Sequence, residues 1–272
     1  MKNIVLTAAV GLDLDQVEFF IKSFRKYSND EIYFLVGNDD HDLKKKLKLY
    51  DCKFYEVSDH KHDIQLKRYK YFFEILKKKE KNYDNVLISD SRDLYFQSNP
   101  FNYPYKGGIN FFLEDIQINK CPVNSNWLKK TYGAKIYNEL SEKIVCCSGT
   151  VLGKHSSMIN YLELMNQMIK KYPYQKSLKY LLTFRRDKEG RGCDQGYCNF
   201  IAHKNYLKDS FFYSNNNGPI ATVLYLKNIS FNKNLELLNS LGKTYSIVHQ
   251  YDKRWSDFSE KVESIKEKLK LI

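Results

Sequence analysis

Residues 3–27, NIVLTAAVGLDLDQVEFFIKSFRKY, join a short apolar run to an amphipathic one. The run at residues 3–11 has the length of a buried strand, bounded by a glycine. In the residues that follow, the apolar positions Val17, Phe20 and Phe24 recur at helical spacing. This stretch therefore predicts a strand followed by a helix that packs back onto it.

The same alternation continues along the chain. Apolar runs at 31–37, 52–57 and 85–89 predict strands, and amphipathic stretches at 40–49 and 64–81 predict helices between them. Successive β–α units favour a mostly parallel central sheet with helices on both faces, which is an α/β fold.

The second half is less regular. After residue 101 we expect loops that contain an apolar run at 109–113. The region that follows, around Trp127 and Tyr132, is expected to consist of loops and a short helix. Residues 144–153 predict a strand interrupted at Ser148 and Gly149. Helices are expected at 156–172 and 193–203, and a short strand at 246–249. An amphipathic tail helix is expected at 257–272. It could pack on the domain, pair with a second subunit or rest on a membrane surface.

Composition narrows the protein class. The chain has 272 residues, 43% of them apolar and 28% charged, with 12 glycines and 5 prolines, so it is expected to fold as a globular protein. A formal charge of +12 suggests phosphate-bearing partners. The sequence shows no signal peptide and no stretch long enough to span a bilayer. The six cysteines make no disulfide framework, so we expect reduced thiols and a cytoplasmic protein.

An acidic cluster follows the predicted strand at 85–89. Asp90 and Asp93 would lie at the carboxyl end of that strand, where open α/β sheets bind ligands. Mg²⁺ or Mn²⁺ typically takes one or two such carboxylates and leaves positions for substrate phosphates. An exposed turn with an ion pair between aspartate and Arg92 is an equally good interpretation of the spacing alone.

Residues 86–101, VLISDSRDLYFQSNPF, resemble the metal-binding segment of nucleotide-sugar glycosyltransferases of the GT-A fold. In that family an apolar strand, an Asp-x-Asp motif, apolar residues and an Asn/Asp-Pro follow one another. This chain has Asp-x-x-Asp, which leaves open whether Asp90 or Ser91 takes the first position. The resemblance implies a GT-A type, Rossmann-like sandwich.

Three further segments resemble the same family in the same order. Residues 147–153, CSGTVLG, are similar to the strand that lines the sugar side of the cleft, with Ser148 and Gly149 facing the donor. Asp194, Gln195 and Asn199 resemble the family's Asp-Gln-x-x-x-Asn at a helix start. Residues 248–252, VHQYD, look like the late motif whose histidine completes the metal site.

The resemblance implies roles for particular residues. Asp90, Asp93 and His249 would bind the metal, Mn²⁺ or Mg²⁺, and Asp194 with Gln195 would face the transferred sugar. Arg68, Arg92, Lys253 and Arg254 would contact the diphosphate of the donor. The nucleoside would lie on the first β–α turn at Thr7, Ala8 and Ala9. Asp194 could instead cap its helix, since Asp is a favoured N-cap residue.

The expected function is metal-dependent transfer of a sugar from a nucleoside diphosphate donor, with uridine as the first choice, to a saccharide acceptor. Retention of configuration is favoured over inversion, and synthesis of a surface glycan is the expected context. One domain over 1–272 would contain a nucleotide-binding half at 1–101, an acceptor and sugar half at 102–255, and the C-terminal helix at 256–272. The charged stretch at 185–192 would form a lid over phosphate.

Other functions compete with this one. A basic, aromatic-rich chain could bind nucleic acid, but its cations are spread along helices such as residues 43–49, LKKKLKL, so no nucleic-acid partner is expected. A non-catalytic relative could keep the fold as a scaffold. A metal-dependent phosphatase or nucleotidyltransferase would share the carboxylates but would not explain the late histidine.

Overall fold

The computed structural model describes residues 2–58, 64–78, 82–175 and 190–271. Its strands are β1 (Asn3–Ala8), β2 (Glu31–Gly37), β3 (Lys53–Val57), β4 (Asn85–Ser89), β5 (Leu94–Phe96), β6 (Ile109–Gln117), β7 (Ile144–Gly153), β8 (Ser210–Tyr213), β9 (Ile220–Thr222), β10 (Ser230–Phe231), β11 (Leu237–Leu238) and β12 (Ile247–His249). Its α-helices are α1 (Leu14–Arg25), α2 (His41–Leu49), α3 (Ile64–Lys78), α4 (Pro122–Leu140), α5 (His155–Lys171), α6 (Asp194–His203) and α7 (Trp255–Lys268).

A seven-stranded sheet in the order β3-β2-β1-β4-β7-β6-β8 forms the centre of the molecule. Strand β7 is antiparallel to both of its neighbours, and the other six strands run in one direction. The prediction of a mixed α/β fold with a mostly parallel sheet is therefore confirmed. A parallel pair of strands needs a crossover connection, and helices α1, α2 and α3 supply the connections between β1, β2, β3 and β4.

Helices cover both faces of the sheet. Side chains that alternate along β1 point to opposite faces, so Ile4 and Leu6 pack with α3, α5 and α6 while Val5 packs with α1 and α2. A second sheet, in the order β5-β12-β9, lies beside α1. Helix α7 buries Phe258 and Val262 against this smaller sheet.

Two predictions for the second half differ from the structure. Strand β7 is continuous through Ser148 and Gly149, although its register with β6 shifts there, since Phe111 pairs with Val151 and Leu113 with Cys146. Residues 122–140 form the long helix α4, not loops with a short helix. This helix was hidden because Gly133, at φ 80°, interrupts its helical geometry and with it the apolar spacing.

The remaining differences are small or fall outside the described residues. Strand β1 ends at Ala8, not at Gly11, and α3 is described to Lys78. Residues 176–189, which include most of the predicted lid, are not described. All six cysteines are buried and free of disulfides. Within the described ranges, no helix combines the length and apolar character needed to cross a membrane.

Candidate functional site

Three potential metal ligands meet at the carboxyl end of β4. The chain leaves β4 at Asp90, turns through Asp93 and enters β5, which pairs with β12 so that His249 lies opposite Leu94. His249 Nε2 is 3.4 Å from Asp90 Oδ2 and 3.7 Å from Asp93 Oδ1. The small β5–β12 pairing is thus what brings a late histidine to the acidic cluster.

The donor set fits a divalent cation. One ligand atom from each of Asp90, Asp93 and His249 lies within 4.8 Å of the other two. Among the residues that the structure describes, no atom forms a hydrogen bond of normal geometry with the buried His249 Nε2, and an unpaired buried polar atom is costly unless something binds it. Two carboxylates and one imidazole are a ligand set that Mn²⁺ accepts, while Mg²⁺ prefers oxygen.

Of the two candidates for the first acidic position, Asp90 is the one whose carboxylate lies with Asp93 and His249. The hydroxyl of Ser91 donates a hydrogen bond to the carbonyl of Ala8, 2.9 Å away, and so ties the turn to the end of β1. The Asp90 amide donates to the Gly149 carbonyl at 2.9 Å, which extends the pairing of β4 with β7 by one residue. These two bonds hold the Asp90 side chain toward His249.

Electrostatic neighbours determine the protonation of the three ligands. Burial alone would lower the pKa of His249, but Cys147, Asp90 and Asp93 raise it well above its ordinary value. Burial raises the pKa of Asp93, and the nearby carboxylates of Asp90 and Asp252 raise it further. A bound cation would replace the proton on the imidazole and relieve the repulsion between the carboxylates.

Cys147 contacts the other nitrogen of the metal-site histidine. Its sulfur is 3.4 Å from His249 Nδ1. When Nε2 binds a metal, Nδ1 carries the proton, so the sulfur can accept a hydrogen bond and fix the orientation of the ring. Cys147 was quoted in the sequence motif but was not recognised as a contact of the histidine.

Gly149 leaves room for two of the candidate ligand side chains. A Cβ atom at this position would lie 2.5 Å from Cε1 of His249 and 2.6 Å from Oδ2 of Asp90. Both distances are far shorter than any normal contact. Glycine is therefore required here by the close approach of two ligand side chains to the β7 backbone.

Substituting Gly149 with alanine should displace both ligands and lower the affinity for Mn²⁺ roughly 100-fold, an effect like that of disturbing residues that orient metal ligands. Titration calorimetry with MnCl₂ would measure it. Thr150→Val is the matched control, because the neighbouring hydroxyl is buried without a partner and its replacement should leave Mn²⁺ binding unchanged. Equal affinity in Gly149→Ala and wild type would contradict the placement of the site.

Arg68 links the metal site to a second carboxylate. Its guanidinium donates to Asp90 Oδ1 at 2.6 Å and to Asp194 Oδ2 at 2.8 Å, and its side chain is only 7% exposed. The hydroxyl of Tyr69 donates to the same oxygen of Asp194 at 2.8 Å. Partial removal from water raises the pKa of Asp90, but Arg68 and His249 outweigh this effect and hold the pKa well below its usual range. The contact of Arg68 with a donor diphosphate, which the resemblance implies, stays a prediction, and the structure shows that Arg68 bridges two carboxylates.

Asp194 is held in place through the start of α6. The side chain of Asn199 bonds both to the Cys146 amide at 2.8 Å and to its carbonyl at 3.0 Å, which fastens α6 to β7. The N-cap residue is Cys193, and Asp194 lies in the first turn with its carboxylate bonded to Arg68 and Tyr69. The capping alternative for Asp194 is therefore not what the structure shows.

Two adjoining cavities open at this site. The larger, about 510 Å³, is lined by the end of β1, the acidic turn and four cations, Arg68, Arg92, Arg191 and Lys253. The smaller, about 250 Å³, is lined by residues of β6, α4, β7 and α6, with Asp194 and Gln195 among them. Gln65, Arg68 and Asp90 line both cavities, so the metal site lies at their junction.

The remaining predicted residues divide between the cavities and the interior. Ser148 and Gly149 line the smaller cavity, and Ala8, Ser91, Arg92 and Lys253 line the larger one. Thr7 and Ala9 are fully buried and line neither, because β1 alternates its side chains into the core. Arg254 is also outside both cavities, since its guanidinium bonds to the Leu226 carbonyl and to Asp257.

Several residues at the site went unrecognised in the sequence. They include Tyr69, Glu114, Asn124, Trp127 and Tyr225. Glu114 had a usable signal, since it is the first charged residue after the apolar run at 109–113 and so ends a buried stretch, as Asp90 does. Trp127 and Tyr225 carry no such signal, because aromatic residues are frequent throughout this chain.

Cations near the larger cavity are partly neutralised. Arg92 and Lys253 both pair with Asp252, at 2.9 Å and 3.2 Å. These pairs are exposed enough to rearrange around an anion at little cost.

With regard to known proteins, no family model matches the chain, and a search of curated proteins finds no significantly similar sequence.

Proposed function

We propose that the protein is a metal-dependent glycosyltransferase of the GT-A type that transfers a sugar from a nucleoside diphosphate donor to a saccharide acceptor. The observation that carries the proposal is the convergence of four separate segments on one cleft. The acidic turn, the start of α6, the Gly149 region of β7 and His249 lie far apart in sequence and meet where the two cavities join. Their order along the chain is that of the family it resembles.

The larger cavity is proposed to bind the nucleoside diphosphate. Departure of a diphosphate builds negative charge, which the site must stabilise as it forms. Mn²⁺ or Mg²⁺ held by Asp90, Asp93 and His249 would supply Lewis-acid stabilisation of that charge. Arg92, Arg191 and Lys253 line the same cavity and supply donors for phosphate oxygens. Ala8 offers a small surface against which a nucleoside, first of all uridine, can lie.

The transferred sugar is proposed to lie at the junction, next to Asp194. Arg68 and Tyr69 donate to one oxygen of this carboxylate and keep it oriented. A carboxylate so placed can stabilise positive charge at the anomeric carbon or act as the nucleophile of a double displacement, which would retain configuration. Gln195 bonds to the Ser148 amide at 3.3 Å and so holds the floor of the sugar site together.

The acceptor is proposed to be a saccharide of a surface glycan, which would be extended on the cytoplasmic side with peripheral contact to a membrane. Of the alternatives, a phosphatase or nucleotidyltransferase would need the carboxylates but would leave Asp194 and its Arg68 bridge without a role.

Mixing the protein with MnCl₂ and a panel of UDP-, GDP- and CMP-sugars tests the proposal directly. We expect nucleotide release from one UDP-sugar, with water as the default acceptor, and loss of release when EDTA removes the metal. Proton NMR at early times should show that the freed sugar has the donor's anomeric configuration. Absence of metal-dependent release from every donor would refute the proposal, and release of inorganic phosphate would favour a phosphatase.

A further inference from the structure

Glu114 is a buried carboxylate in the floor of the smaller cavity. It lies on β6, is 2% exposed and lines the cavity together with Asp194 and His249. Gln195 Nε2 donates to Glu114 Oε1 at 3.2 Å and to Asn124 Oδ1 at 3.1 Å. The carboxylate is therefore held in place by an amide that is itself fixed from two other elements.

The charge environment separates Glu114 from the other carboxylates of the site. Asp90 and Asp194 both pair with Arg68 at hydrogen-bond distance. Among the described residues, no lysine, arginine or histidine nitrogen lies within 4.0 Å of Glu114. A carboxylate without a cationic partner accepts a proton more readily than one bound to a guanidinium.

Titratable groups on several packed elements face Glu114. Among the described residues they include Cys146 and Cys147 on β7, His249 on β12, the neighbouring Asp115 on β6, and Tyr225. Burial is the largest effect and raises the pKa of Glu114 to about 7, with His249 and the hydrogen bonds from Gln195 and Cys147 opposing it. A general base is most effective when its pKa lies near the working pH.

The walls of the smaller cavity suit a sugar ring. Trp127 and Tyr225 line it beside the amides of Asn124 and Gln195. Trp127 lies against the backbone at Gly192, where a Cβ atom would be 2.9 Å from the indole ring. Aromatic faces with nearby amides are typical of sites that bind the apolar face and the hydroxyls of a pyranose.

Resting on the function proposed above, we infer that the smaller cavity receives the acceptor sugar against Trp127 and that Glu114 takes the proton from its attacking hydroxyl. The acceptor O–H bond breaks and its proton passes to a carboxylate oxygen of Glu114. The acceptor oxygen forms its bond to the anomeric carbon with the electron pair so released. The bond that breaks joins that carbon to Asp194 in a double displacement, or to the diphosphate in a single one, and its electron pair leaves with that group.

Glu114→Gln tests the inference, because glutamine keeps the shape and can still accept the hydrogen bond from Gln195. With the UDP-sugar that wild type hydrolyses, at saturating Mn²⁺, we expect turnover to fall about 100-fold or more, the usual contribution of a general base. Calorimetric affinity for UDP with Mn²⁺ should stay within about twofold of wild type. The decrease in wild-type rate below pH 7, where Glu114 becomes protonated, should be lost in the variant.

The matched control is Glu163→Gln, the same substitution at an exposed position of α5 outside both cavities, which should retain turnover and its pH profile. Glu114→Asp keeps a carboxylate but withdraws it by one methylene, and should turn over slowly while keeping the decrease below pH 7. If glutamine does not fold at position 114, this second variant decides the question.

The outcomes separate the two proposals. Wild-type turnover in Glu114→Gln, or loss of UDP affinity together with turnover, would overturn the role of Glu114 and leave the glycosyltransferase proposal standing. If the wild-type protein shows no metal-dependent release of nucleotide from any donor, both proposals are overturned. Reduced turnover with intact UDP affinity and no acidic limb is the result that supports the inference.

Discussion

Replacing Asp93 with alanine is expected to lower Mn²⁺ affinity roughly 100-fold or more and to abolish metal-dependent binding of UDP, while the fold persists. Asp93 supplies one of three ligand atoms that lie within 4.8 Å of one another, and its loss removes one of the two carboxylate charges that attract the cation. Its side chain follows β4 on a turn, and its backbone carbonyl, which accepts from the Gln250 amide at 2.7 Å, is unaffected by the substitution.

The stability of the metal-free protein should not fall. Burial and the neighbouring carboxylates raise the pKa of Asp93, so its negative charge is disfavoured in the folded state, and removing it relieves repulsion. Calorimetry with MnCl₂, followed by UDP in the presence of Mn²⁺, and thermal unfolding without metal would measure both effects.

Asp84→Asn is the appropriate control for Asp93→Ala. Asp84 lies at the opposite end of β4, where it accepts a hydrogen bond from the Lys2 amide at 2.6 Å, a bond that asparagine can keep. This variant should bind Mn²⁺ as wild type does. Unchanged Mn²⁺ affinity in Asp93→Ala would remove Asp93 from the metal site.

Substitution of Arg68 by methionine is expected to destabilise the fold by about 3 kcal/mol and to abolish activity, because it leaves Asp194 buried without its cation. Asp194 is only 4% exposed and so cannot be compensated by water, whereas Asp90 is 38% exposed and can. Urea unfolding at pH 7 would give the change in free energy. Lys70→Met, two positions along α3 with an exposed side chain, is the control and should change stability by less than about 0.5 kcal/mol.

A double variant distinguishes lost charge pairing from lost packing. Asp194→Asn should lower the free energy of unfolding less in the Arg68→Met background than in wild type, since asparagine removes the charge that Arg68→Met leaves unpaired. Equal costs in the two backgrounds would show that the two residues do not interact.

The pH dependence of Arg68→Met follows from the sign of the Asp90 shift. The pKa of Asp90 is held below its unfolded value, so its pairing stabilises the fold at neutral pH and is lost as pH falls through the lowered pKa. The stability difference between wild type and Arg68→Met should therefore shrink in acid.

The regular half of the fold was predictable because local pattern and tertiary environment agree there. Strands β1 and β4 and most of β2 are buried on both faces and have continuous apolar runs in the sequence, and the helices between the strands have one apolar face. Helix α4 was not predictable, because Gly133 breaks its geometry and its apolar residues follow no single face. The strands of two or three residues in the smaller sheets are too short to carry a periodic signal.

The site was predictable in part. Asp90 and Asp93 follow directly from the end of β4, since the ends of parallel strands gather at one edge of a sheet. The burial of Thr7 and Ala9 was not predictable from the sequence. The end of a strand determines where the backbone lies, but the alternation of side chains between the two faces decides which of them reach the cleft.

The amino-acid sequence by itself determined the α/β class, the acidic turn after β4 and the order of the four segments, because these depend on local periodicity and on chain order. Only the tertiary structure decided that Arg68 bridges Asp90 and Asp194, that Gly149 leaves room for His249, and that Glu114 lies beside Gln195. Each of these contacts joins residues 22 or more positions apart, and such distances are fixed by how the sheet and helices pack. Contacts of that kind leave no trace in the spacing of residues along the chain.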